Sequence, residues 1–169
     1  MKTAATLAAA LLALVLAPWS ASASAPSERW AVPVVQVHST APDASWHVNR
    51  AIAQWNKRGA VRLERVYAPC AGCVTITETS VPMEPLGYEW KGLSYAWATG
   101  GIIERCDILL DPNNAGKFAQ GTSTHELGHC LGLPHTEAKW SIMNEGSVAR
   151  IFHPRRRDYE RLAALYAAR

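Results

Sequence analysis

Along residues 34 to 110 apolar and polar positions alternate in short runs, and one stretch between 43 and 58 instead recurs with a period near 3.6. AVPVVQVHS reads as a first strand with Pro33 near its start, where a missing N–H is tolerated. APDASWHVNRAIAQWNKRG follows, with Val48, Ile52 and Trp55 on one helical face and Ala51 beside them. Asp43 or Ser45 is placed to cap this helix and Gly59 to end it. VRLERVY and CVTITET are two further strands, separated by a Pro-Cys-Ala-Gly-Cys turn. Residues 80 to 94, with Pro82, Pro85, Gly87 and Gly92, read as a loop, and LSYAWAT and CDILLD as two strands joined through Gly100 and Gly101. A helix carrying HELGHC comes next, and the stripe Tyr159, Leu162, Leu165, Tyr166 behind Pro154 predicts a closing helix packed on the body. This order predicts an α+β fold: a twisted mixed five-stranded sheet, one long packing helix, the motif-bearing helix and a C-terminal helix.

Composition narrows the setting. A chain of 169 residues, 49% hydrophobic and 18% charged, is sized for one core and is neither disordered nor a multi-span membrane protein. Lys2, the apolar run Ala4 to Ala17 broken only by Thr6, and the small residues ASASA read as a secretory signal peptide. Cleavage after Ala23 or after Ala25 fits the small-x-small rule; the first is favoured, giving a signal peptide over 1–23 and one domain over 24–169. The mature chain is then expected to be secreted, extracellular, monomeric and free of the membrane. Losing Lys2 takes the net charge from +3 to +2, too near neutrality to imply a nucleic-acid partner. The run Arg155 to Arg157 reads as a solvated helix start.

Export also bears on Cys70, Cys73, Cys106 and Cys130, an even set for which sequence permits three disulfide connectivities. The expected pairing is Cys70 with Cys73 and Cys106 with Cys130. A thioredoxin-like reading of CAGC, as in an exported thiol oxidoreductase, needs a helix start directly after the motif, whereas the β-branched VTITET predicts a strand.

The densest chemistry lies in HELGHCLGLPH, residues 125 to 135, which holds three of the six histidines. At about 100° per residue, His125 and His129 lie one turn apart and about 40° from each other, so both imidazoles can meet one ion. Catalytic Zn²⁺ takes three protein ligands in a tetrahedral arrangement and leaves the fourth position open. For His135 to be the third, the chain must turn back; Gly132 suits the left-handed residue that stops a helix, and Pro134 cannot continue one. Glu126 points about 100° away from His125, a direction that suits a proton acceptor for water better than a ligand. Cys130 lies about 140° from His125, toward the side where a sheet packs, so a bridge to Cys106 would tie this helix to the sheet.

These residues resemble the metzincin metallopeptidases, whose signature HExxHxxGxxH is matched by His125, Glu126, His129, Gly132 and His135. The resemblance implies one catalytic Zn²⁺ held by His125, His129 and His135, with Glu126 as general base in peptide-bond hydrolysis. SIMNE at 141–145 is similar to the family's methionine turn, with Met143 in the family's place. GLPHT, with Thr136, and RDYERLAALY are most similar to the matrixin branch. The resemblance spans residues 29 to 166 in element order, and only 125 to 145 is specific residue by residue. It also implies that Tyr95, Ala96, Trp97, Ala98 and Thr99 form an edge strand against which an extended protein or peptide substrate pairs.

Departures accompany the match. Glu145 stands where some metzincins carry a tyrosine, the cysteine-bearing propeptide of matrixins is not expected, and His38, His47 and His153 form no second zinc cluster in sequence. Asp107, Asp111, Asn113 and Asn114 are able to offer oxygens to calcium, but an ordinary strand end and turn is the simpler reading. A competing class is a secreted binding protein that keeps the zinc and the groove without hydrolysis; Glu126 argues against it, since a structural zinc site has no use for that carboxylate.

Overall fold

The structure, a computed structural model, describes residues 28–84, 86, 89–116, 118–146 and 150–167. The expected signal peptide over 1–23, and Pro85 and Gly87 of the expected loop, lie outside the described residues. The order is β1 (Val34–Ser39), α1 (Asp43–Trp46), α2 (Val48–Asn56), β2 (Arg62–Val66), β3 (Val74–Glu78), β4 (Gly92–Thr99), β5 (Ile102–Leu110), α3 (Ala119–Cys130) and α4 (Arg156–Ala167). The strands form one five-stranded mixed sheet ordered β2-β1-β3-β5-β4. The first four pair in parallel, and β4 runs antiparallel to β5 at the edge.

Alternation sets the core. Val35, Val37, Leu63, Val74, Ile76, Cys106, Ile108 and Leu110 are buried from the sheet, together with Trp46, Val48, Ile52, Trp55 and Leu127 from the helices. Buried indoles find acceptors: Trp55 Nε1 donates to the Thr124 carbonyl at 2.8 Å and Trp30 Nε1 to the Cys130 carbonyl at 2.7 Å. Both bonds end on or beside α3, so aromatic packing also fixes the axial position of that helix.

Two elements differ from their sequence reading. The single long helix expected over 43–58 is broken at His47, whose φ of 52° is left-handed. The break leaves the Trp46 carbonyl, which an unbroken helix would pair with residue 50, to accept the Ser123 hydroxyl of α3 at 2.8 Å. Asp43 Oδ1 accepts the Asn49 N–H at 2.7 Å, so this carboxylate caps the second piece of helix. Strand β5 begins at Ile102, four residues before the expected CDILLD, because Gly100 and Gly101, both at positive φ, make a two-residue hairpin that carries pairing to the turn. The cysteines pair as Cys70–Cys73 and Cys106–Cys130, with Cα separations of 6.0 and 5.6 Å. The first closes the turn ahead of β3; the second joins β5 to the end of α3. Among the described residues no helix is long and apolar enough to cross a membrane.

Candidate metal centre

The helix α3 is buried along nearly its whole length and ends in a cap that turns the chain back. Gly132 has φ 92°; its N–H donates to the His129 carbonyl at 2.8 Å, and the Leu133 N–H donates to the Gly128 carbonyl at 3.0 Å. These two bonds define a Schellman stop, which satisfies carbonyls that the helix end would orphan. The Glu28 backbone carbonyl, packed against the place where a Cβ would sit on Gly132, is a second reason for glycine there.

The reversal brings His135 to the other two histidines. The Nε2 atoms of His125, His129 and His135 lie 3.0 to 3.1 Å from one another. His125 Nδ1 faces the Ile142 carbonyl at 2.7 Å and His129 Nδ1 the Leu133 carbonyl at 2.8 Å. A carbonyl can only accept, so both Nδ1 atoms carry the proton and both Nε2 atoms present bare lone pairs. Lone pairs converging at such distances repel unless a proton from the third ring or a cation sits between them. Two protein carbonyls thus orient two ligands in the tautomer that a metal requires. Burial pushes the His125 imidazole down to about 4 and the His129 imidazole down to about 3, and the crowding of the rings adds to the fall. Neutral rings are therefore the resting form. An ion with about 2.0–2.1 Å bonds in tetrahedral geometry sets its ligands about 3.3 Å apart, within a few tenths of the spacing seen. Among the described residues this is the one group of histidine, cysteine or acidic side chains placed to hold a metal ion, and its donor set is compatible with zinc.

Glu126 lines the same cleft, a space of about 520 Å³ between α3 and the start of β4. Burial raises its carboxyl to about 7, opposed by a hydrogen bond from the Ser94 side chain. A group poised near neutrality can both take and release a proton. Gly92 explains how the strand comes so close: a Cβ there would lie 2.8 Å from Glu126 Cγ and 2.7 Å from Thr122 Cγ2.

Behind the ligands, Met143 is fully buried in a tight turn over 141–144, where the Asn144 N–H reaches the Ser141 carbonyl at 3.2 Å. The Thr136 N–H donates to the Met143 carbonyl at 3.1 Å, tying this turn to the residue after His135. Asp158 at the start of α4 has no exposed surface. It accepts from the Ser141 hydroxyl, the Ile142 N–H at 3.2 Å and the Arg155 N–H at 2.8 Å. Since the Ile142 carbonyl holds His125, this carboxylate anchors the support of a ligand from another element. Sequence reasoning missed Ser94, Gly92 and Asp158. Only Asp158 left a trace, as an acid in the first turn of a helix.

The remaining expected residues fall as follows. Of the edge-strand set, Ala96 alone lines the cleft, with Glu89 to Ser94 forming the rest of that wall. Tyr95 and Trp97 stack at 6.4 Å, Arg105 lies 3.9 Å over the Trp97 ring, and Ala98 and Thr99 lead past an irregularity into the hairpin. Glu145 also lines the cleft and is exposed. Asp107 accepts the Thr75 hydroxyl, and Asp111 accepts the Asn113 N–H and the side-chain amides of Asn113 and Asn114, so the residues considered for calcium cap a short 3₁₀ turn and a strand instead. Cys70 and Cys73 are joined and followed by a strand, which removes the helix start that a reactive thiol pair needs. No known family profile and no curated protein matches this chain.

Proposed function

We propose that this chain is a secreted, matrixin-like metzincin: a zinc-dependent endopeptidase acting on extended protein or peptide substrates. One observation carries the reading: three imidazoles are placed to bind one metal ion beside a buried carboxyl, in a cleft walled by a sheet edge. A zinc ion held by His125, His129 and His135 would supply Lewis acidity to a water molecule and to the scissile carbonyl. Glu126 would take a proton from that water and hand it to the departing nitrogen. The Ser94 side chain hydrogen-bonds that carboxyl and favours its charged form. The edge of β4 supplies main-chain donors and acceptors that fix an extended peptide largely without regard to its side chains. The short reach of β4 from Glu126, set by Gly92, brings that peptide within range of the proton carrier.

The test is zinc content per chain together with cleavage of a peptide library, with and without a chelator. Cleavage should stop with the chelator and return with zinc. Glu126→Gln should keep zinc near the parent level and lose about a hundredfold or more in turnover. A Glu126→Gln protein that cuts at the parent rate would remove the assigned base, and His129→Ala with full zinc occupancy would remove the ligand set.

A further inference from the structure

A second concavity, of about 730 Å³, which shares no lining residue with the first, lies between the loop after His135 and the start of α4. Its chemistry is one-sided. Lys139, Arg155, Arg156 and Arg157 line it together with Trp140, and all five side chains are exposed, the indole at 75%. Among the described residues the one ion pair made by these four cations is Arg156 with Glu160 at 3.5 Å, itself a solvated pair of small value. Asp158, the acid nearest in sequence, is turned inward and fully engaged with Ser141, Ile142 and Arg155.

Stability does not account for this arrangement. Three arginines at the amino end of α4 face the positive pole of its dipole, which disfavours cations there by some tenths of a kcal/mol each. An indole left three-quarters exposed gains nothing from the core. Both features make sense when a partner covers them.

The geometry points to this groove as a docking site for an acidic, extended protein segment. Guanidinium groups match carboxylates in a two-pronged geometry, and exposed tryptophan with arginine is the composition that dominates protein-binding hot spots. A concavity lined by exposed cations and an indole accommodates side chains of a partner chain better than the plane of a membrane. The site is separate from the cleft and does not depend on the peptidase reading.

The probe is a fluorescein-labelled dodecamer of alternating Glu and Asp with blocked ends, followed by anisotropy against the whole protein at low and physiological salt. Binding should weaken as salt rises, and a Gly-Ser dodecamer should stay free. Arg155→Glu with Arg157→Glu should weaken binding by about tenfold or more, and Trp140→Ala by several-fold, with circular dichroism unchanged. Equal affinity in the charge-reversed protein overturns the assignment. So does capture of a single-stranded oligonucleotide or of acidic phospholipid vesicles with the dodecamer left free.

Discussion

Replacing Gly128 by alanine sets two effects of opposite sign against each other. Gly128 lies inside α3, between His125 and His129, where helix propensity alone predicts a gain of about 0.5–1 kcal/mol for alanine. Packing predicts the reverse. A Cβ at 128 would meet Met143 Sδ first and would lie 2.9 Å from Trp55 Cζ2, and both of those side chains are fully buried. Neither neighbour has free volume to move into, and an extra methyl in such a place costs about 1–3 kcal/mol. The net expectation is a loss of about 1–2 kcal/mol, seen as a fall in Tm of about 3–8 °C. Because the turn at 141–144 also carries the Ile142 carbonyl that holds His125, zinc affinity should fall together with stability. The assay is thermal unfolding by calorimetry with and without zinc, run on Gly128→Ala, Met143→Ala and the double variant. The two changes should couple favourably by about 1 kcal/mol, since shortening Met143 makes room for the new methyl. A Gly128→Ala protein more stable than its parent, or strict additivity in the cycle, would refute the packing argument.

Other consequences follow from the same contacts. Asp158→Ala removes an acceptor shared by two backbone N–H groups and a hydroxyl, so denaturant unfolding should show a loss of about 3 kcal/mol and metal titration a weaker site, with Asp158→Asn milder in both. Burial raises the Tyr166 hydroxyl to about 12, above its ordinary value of 10, so the folded state favours the protonated phenol. Its contribution is fully present below pH 10 and is lost between pH 10 and about 12; a pH series of unfolding midpoints should show that decline, and Tyr166→Phe should flatten it. Replacing Cys106 and Cys130 by serine opens a loop with a sequence separation of 24 and should cost about 3 kcal/mol, measured by urea unfolding.

Much of the architecture was written locally. Run length and β-branched or alternating composition named all five strands; four of them lay side chains in the core, while β4, the edge strand, has no buried residue. The Schellman stop at Gly132 was equally legible, since the left-handed residue that ends the helix leaves glycine as its mark. The hidden parts depend on neighbours far away in sequence. No local pattern announces the break at His47, because it is the Ser123 hydroxyl on α3 that claims the Trp46 carbonyl.

The metal site divides along the same line. Sequence by itself determined which imidazoles are available, since helical periodicity places His125 beside His129 and one glycine turns the chain toward His135. Tertiary structure alone decided the protonation and orientation of His125 and His129. The Ile142 and Leu133 carbonyls fix the tautomers, Asp158 anchors one of those supports, and Gly92 lets β4 close over Glu126 and strip its water. The physical reason is that ligand identity is carried by covalent order over eleven residues, whereas pKa and tautomer are set by desolvation and by hydrogen-bond partners that only packing brings within reach.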